Sequence, residues 1–139
     1  MNAPCINAYL VFNGNCREAM EFYKACLGGE LTLQTIGESP MAGQMPQQMK
    51  DCILHATLTH GNIVLMASDL VGNKGFIKGT TMSLMLDCST EADLRQYFES
   101  LSEGGTLGHA IETTFWGALL GDFTDKYGNQ WILHFEQKQ

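Results

Sequence analysis

Two glycine pairs, Gly28-Gly29 and Gly104-Gly105, stand 76 residues apart in a chain of 139, and each closes a segment of helical periodicity. Before the first pair, Cys16, Ala19, Met20, Tyr23, Cys26 and Leu27 recur at the spacing of one helix face. Before the second, Leu94, Tyr97, Phe98 and Leu101 do the same. Glycine ends such helices because it adopts the left-handed C-terminal cap without steric cost. Asn15 is placed to cap the first helix and Ser89 or Thr90 the second, a side-chain oxygen taking an orphan backbone N–H.

Strand-like segments repeat around these helices. INAYLVF (6–12) precedes the first helix and ELTLQTI (30–36) follows it; CILHATLTH and NIVLMASD then flank a turn at Gly61-Asn62. In the second half, TTMSLMLD (80–87) precedes the helix, a strand near 106–112 follows, and GALLGDFTD runs into QWILHFE around Tyr127-Gly128-Asn129. Asn62 and Asn129 lie 67 residues apart, and the longer loop of the first half absorbs the nine-residue difference from the glycine spacing. Each half therefore reads β-α-β-β-β, with too little sheet to bury both faces alone. The expectation is an α+β fold in one domain, with module 1 at about 5–70 and module 2 at about 79–137. The two βαβββ modules are expected to form a curved mixed sheet, helices outside and a concave cavity inside.

A formal charge of −7 with only eight scattered Lys and Arg argues against nucleic acid or an anionic membrane as partner, because no basic face releases counter-ions. No apolar run approaches the roughly 18–20 residues of a membrane span. MNAPCINAYLVFNG has neither the basic start nor the apolar core of a signal peptide, so the expected location is cytoplasmic. The five cysteines form no CxxC pair and read as small buried hydrophobes in a reducing compartment.

Four stretches carry a resemblance: YLVFNGNCREAMEFYKACLGGEL, the MP and HATL segment, LMASD, and ETTFWGALLGDFTDKYGNQW. Through them the chain resembles the PhnB-like branch of the glyoxalase/bleomycin-resistance/dioxygenase (vicinal oxygen chelate) superfamily. The resemblance implies paired βαβββ modules, a homodimer, and a ligand cavity on the concave face. Some members of the branch carry a ubiquinone methyltransferase label. An adenosyl-type methyl donor sits on a glycine-rich turn after the first strand of a doubly wound sheet, whereas here that strand leads into Asn13-Gly14-Asn15 and a short helix. Metal-using members of the superfamily hold a divalent cation with His, Gln or Glu from two strands of each module. Laid on that pattern, this chain offers Ala8, His55, Thr81 and Ile132, one donor of four. A shifted last strand would turn Gln130 or His134 inward and raise the count to two. The resemblance thus implies a member with no metal or other cofactor, its cavity kept.

His55 matches a family ligand position within the apolar run Ile53, Leu54, Ala56, Leu58, and reads either as a pocket base or as a buried, hydrogen-bonded histidine. Glu112, Thr114, Phe115 and Trp116 precede the last hairpin. The aromatic pair suits either a planar ligand or a dimer seam. Asp125 in TDKYGN reads as a turn former, Trp131 as core, His60 and His109 as loop or turn residues, and His134 as ambiguous. Loop 38–50, with its methionines, could close over a cavity or serve as a surface or dimer contact. Function is expected to be metal-independent binding of a small molecule, with His55, Glu112, Thr114, Phe115 and Trp116 as ligand contacts. The alternative is a lyase-, isomerase- or dioxygenase-like enzyme, metal-dependent or metal-free, using His55 with Glu112.

Overall fold

A computed structural model describes residues 4–40, 42–44, 47–69 and 76–137, and divides the chain into two units, Met1–Phe76 and Ile77–Gln139. In the first, β1 (Ala8–Phe12) leads into α1 (Cys16–Leu27), then β2 (Glu30–Thr35), β3 (Ile53–His60) and β4 (Ile63–Asp69). In the second, β5 (Leu84–Asp87) leads into α2 (Glu91–Ser102), β6 (Thr106–Thr113), β7 (Ala118–Thr124) and β8 (Gln130–Glu136). Each unit is βαβββ, so the architecture is α+β.

Hydrogen bonding joins the strands into two four-stranded mixed sheets, one per module, β1-β4-β3-β2 and β5-β8-β7-β6. Within each unit the strand before the helix returns parallel to the last strand, while the other pairs are antiparallel hairpins. The physical reason is the repeat: each crossover helix delivers a complete set of partners to its own module, and the ladder closes there.

Alternation along the strands assigns two faces. In the first unit Phe12, Ile53, Ala56, Leu58, Leu65 and Ala67 are buried with Cys16, Ala19, Met20, Tyr23 and Leu27 of α1. In the second, Leu119, Phe123, Trp131 and Leu133 are buried with Leu94 and Leu101 of α2. Burying a Leu- or Phe-sized side chain is worth about 1.5–3 kcal/mol each, so these stripes hold helix to sheet. The other face of each sheet is left uncovered by its own helix. Among the described residues no helix is long and apolar enough to cross a membrane.

Two local expectations change. Asn15 is the N-cap of α1 but makes no side-chain cap bond. The donors are taken instead by Asp69, buried at the end of β4, whose Oδ1 accepts from Gly14 N–H at 3.0 Å and Cys16 N–H at 2.9 Å. Its Oδ2 accepts from Ile53 N–H at 2.8 Å, so one carboxylate pins the β1–α1 turn to the start of β3. By contrast, α2 is capped locally, Thr90 Oγ1 accepting from Asp93 N–H at 3.0 Å. Strand β5 begins at Leu84, not Thr80, because its parallel partner starts at Gln130; the Gln130 amide instead donates to the Met82 carbonyl at 2.9 Å. Loop 38–50 falls partly outside the described residues. Its described part holds short 3₁₀ turns, and its base is closed by Ile36 N–H to Cys52 O and Gly37 N–H to Lys50 O, both 2.9 Å.

Candidate functional site

The uncovered face of the first sheet carries Tyr9 and Val11 from β1, Val64, Met66 and Ser68 from β4, His55, Thr57 and Thr59 from β3, and Thr32 and Gln34 from β2. His55 is therefore exposed on this face rather than buried in the helix-side core. Its Nε2 lies 3.0 Å from Thr57 Oγ1, and its ring centroid lies 6.1 Å from that of Tyr9. Ala8 points the other way, with Leu10 and Phe12 toward α1, because alternation turns Tyr9 and Val11 to the open face.

The uncovered face of the second sheet is ordered in rows by its register. One row runs Asp87, His134, Leu120, Glu112 from β5 to β6; the next runs Met85, Ile132, Asp122, His109. Two imidazole–carboxylate pairs stand on it. His134 Nδ1 is 2.8 Å from Asp87 Oδ1, and His109 Nδ1 is 2.9 Å from Asp122 Oδ2. A carboxylate only accepts, so Nδ1 of each ring carries the hydrogen, and in the neutral ring Nε2 is the acceptor nitrogen. The second pair depends on a glycine. Gly108 sits where the β6–β7 register shifts, and a Cβ there would collide with the Asp122 carboxylate. Beside this pair an open depression of about 190 Å³ is lined by Ser83, Thr106, Asp122, Thr124, Gln130 and Ile132, among others.

Glu112 thus lies on the open face of the second unit, while His55 belongs to the first. Thr114 begins the tight turn between β6 and β7: its carbonyl accepts from Gly117 N–H and its hydroxyl from Ala118 N–H. Gly117, at φ +92°, supplies the left-handed conformation this turn needs. Phe115 and Trp116 form the tip, 98% and 53% exposed, with their rings edge to face at 4.8 Å. Three of the sequence candidates therefore share one hairpin tip, with Glu112 on the strand leading to it.

Sequence reasoning missed both His–Asp pairs. The His109 pair had a signal: antiparallel strands about a turn at Phe115-Trp116 bring residues near 109 and 122 opposite one another, so His109 belongs to a strand, not a loop. The Asp87–His134 pair joins parallel strands across a helix and leaves no local trace. Asp125 and Trp131 behave as expected. Asp125 is buried, its Oδ1 accepting from Tyr127 and Asn129 N–H and its Oδ2 from the Trp131 indole at 2.8 Å.

Cys16 and Cys88 are buried, and burial followed by nearby Asp carboxylates pushes their thiols up to about 12 and about 11. Burial likewise raises Cys52. These thiols stay protonated near neutral pH and are poor nucleophiles. Cys5 is exposed and Cys26 and Cys52 half-buried, so burial holds for only part of the set.

The residues at the four positions that the resemblance assigns to a divalent metal do not fit such an ion. Of the four aligned positions, only His55 has a donor side chain. Ala8 turns to the helix, Thr81 precedes β5, and Ile132 is aliphatic on the open face. Among the described residues no three His, Cys, Asp or Glu side chains gather to hold an ion.

A family model described as 3-demethylubiquinone-9 3-methyltransferase matches residues 4–134. The structure of protein PA1353 from Pseudomonas aeruginosa is similar at 40% identity and TM-score 0.84, over 98% of this chain and 100% of that one. A putative 3-demethylubiquinone-9 3-methyltransferase, PhnB protein, from Bacillus cereus is 26% identical, with TM-score 0.75 over 95% and 99% of the two chains. A glyoxalase-related enzyme from Fulvimarina pelagi shares the fold at 15% identity and TM-score 0.62, over 96% and 89%. The chain therefore belongs to the PhnB-like family described as 3-demethylubiquinone-9 3-methyltransferase, and it shares its fold with glyoxalase-related proteins.

Proposed function

We propose that the protein binds a small organic molecule on its open sheet faces without a metal ion. The observation that carries this reading is the first sheet's open face, where His55 is aligned by Thr57 and stands beside Tyr9 while the remaining metal positions are Ala8, Thr81 and Ile132. One imidazole among hydroxyls and an aromatic ring suits hydrogen bonding to a ligand and does not suit gripping a cation. Methyl transfer is not part of this reading. Each sheet has one parallel strand pair, whereas an adenosyl-type donor is held by a doubly wound parallel sheet.

The protein works as a cytoplasmic homodimer in this proposal, and the exposed Phe115–Trp116 tip offers apolar surface to the ligand or to the second copy. Elemental analysis of protein purified without chelator is expected to give well under one metal per chain. His55→Ala is expected to weaken binding of aromatic ligands in a fluorescence titration. Stoichiometric metal lost in the His55→Ala protein would overturn the proposal and favour the metal-dependent enzyme. Sedimentation of the wild type and of a Phe115→Ala, Trp116→Ala double variant separates a dimer role for the tip from a ligand role.

A further inference from the structure

The second sheet holds a better-built base than the one sequence matching selected. Asp87 takes the Nδ1 hydrogen of His134 at 2.8 Å, which fixes the ring's orientation and tautomer. Nε2 then carries a lone pair with no hydrogen-bond partner among the described residues. The His134 side chain is only 15% exposed, whereas Asp87 is 74% exposed, so the ring sits in the sheet face while its partner anchors it from the rim. His109 has a matching carboxylate but an 80% exposed ring, and His55 pairs with a hydroxyl. Among the described residues only His134 combines a carboxylate partner with a sheltered ring.

Its surroundings define what could reach it. Leu120 stands directly opposite on β7, with Cβ atoms about 4.5–5.5 Å apart in such a pair. Ile132 lies one pleat repeat away on β8, roughly 7 Å, and Met85 is the neighbour of Ile132 on β5. These three apolar side chains make a floor beside one acceptor nitrogen. The other titratable groups facing this area are Glu136 on β8, Glu112 beyond Leu120, and the Asp122–His109 pair. No Lys or Arg stands among the open-face positions of this sheet, so nothing cationic is there to hold a carboxylate or phosphate. The complementary molecule has a flat apolar body and a single acidic hydroxyl.

We propose that His134, held by Asp87, is a general base for phenol-class ligands lying over Leu120, Ile132 and Met85. This rests on the reading of the open faces as binding surfaces. In the step, the phenolic O–H bond breaks and its proton goes to Nε2. The electron pair stays on the phenolate oxygen, and Asp87 stabilises the imidazolium; the reverse transfer restores both partners. Methionine and branched aliphatic side chains suit the aromatic ring through adaptable apolar contact.

The probe is 4-nitrophenol, whose visible absorbance reports its ionised form directly, titrated in slightly acidic buffer where the free probe is mostly neutral. Wild-type protein is expected to shift the bound probe toward phenolate by roughly tenfold, the effect of an opposite charge within reach. His134→Gln can still donate to Asp87 and is expected to abolish that shift. Asp87→Asn, at an exposed position, is expected to keep binding while lowering the ionised fraction, with a matching change in the His134 Nε2 resonance by NMR. Binding without ionisation, or ionisation that survives His134→Gln, would overturn the base while leaving the binding reading intact. No binding of the probe by equilibrium dialysis would remove both for this face.

Discussion

Asp69 gives the sharpest test of how the first unit is held together. Its carboxylate accepts three backbone N–H groups, those of Gly14, Cys16 and Ile53, at 2.8–3.0 Å, and the residue is buried. Hydrogen bonds to a charged group contribute about 1.5–3 kcal/mol each, and a buried donor left unpaired costs about 1–3 kcal/mol. Desolvation of the carboxylate offsets part of that total, since a buried charge is itself costly. The expected net loss for Asp69→Ala is therefore on the order of 4 kcal/mol, a large share of the roughly 5–15 kcal/mol that a domain has. Asp69→Asn should lose less, about 2 kcal/mol: the amide oxygen can still serve Gly14 and Cys16, but the NH₂ group meets the Ile53 N–H donor to donor.

Urea unfolding followed by far-UV circular dichroism measures both losses, with the slope unchanged and the midpoint of Asp69→Ala lowered by about 2 M for a slope near 2 kcal/mol/M. Native-state hydrogen exchange adds a local readout: the amides of Cys16 and Ile53 should lose protection in Asp69→Ala before the middle of β3 does. A loss below about 1 kcal/mol would refute the reasoning, because it would mean that water replaces the carboxylate at all three donors.

Other consequences are checked more simply. Cys16 is raised from 9.0 to about 12 in the fold, so its contribution to stability is intact below pH 9 and is lost as pH rises toward 12; an alkaline unfolding series should show this decline, reduced in Cys16→Ala. Thiol labelling at mildly alkaline pH should modify Cys5 first and leave Cys16 and Cys88 protected until unfolding, as peptide mass mapping would show. Gly108→Ala should drive the Asp122 carboxylate from its place and break its bond to His109 Nδ1, seen as altered His109 ring cross-peaks by NMR with stability reduced by about 1–3 kcal/mol. Trp116→Phe should leave stability within about 0.5 kcal/mol and remove the iodide-quenchable part of the fluorescence, since the remaining Trp131 is 3% exposed.

What the sequence disclosed and what it withheld divide along a physical line. The helix stripes, the glycine stops and the hairpins were legible because each depends on neighbours within a few residues: Cys16, Ala19, Met20, Tyr23 and Leu27 are buried as their spacing required. The Asp125 turn was legible for the same reason, its bonds from Tyr127, Asn129 and Trp131 spanning no more than six residues. The α1 cap was misread because its acceptor comes from 53 residues away, so local chemistry named Asn15 while the topology supplied Asp69.

The candidate site shows the same division, with a consequence for function. His55 matches a metal position of the resembled superfamily, and the fold puts it on an open face with a hydroxyl partner, which carries no negative charge to stabilise a protonated ring. The carboxylate that could do so for a histidine is found across the parallel β5–β8 ladder, where Asp87 meets His134 over a separation of 47 residues. Where a metal ion is bound, the ion supplies the charge and no such partner is needed. Without an ion, proton chemistry depends on residues that carry their own counter-charge. On the described faces that requirement is met by two histidines, and shelter from solvent distinguishes His134 from His109. On the open face of the second sheet Ile132 offers no donor to an ion, while His134, two residues further along β8, stands with its own carboxylate partner.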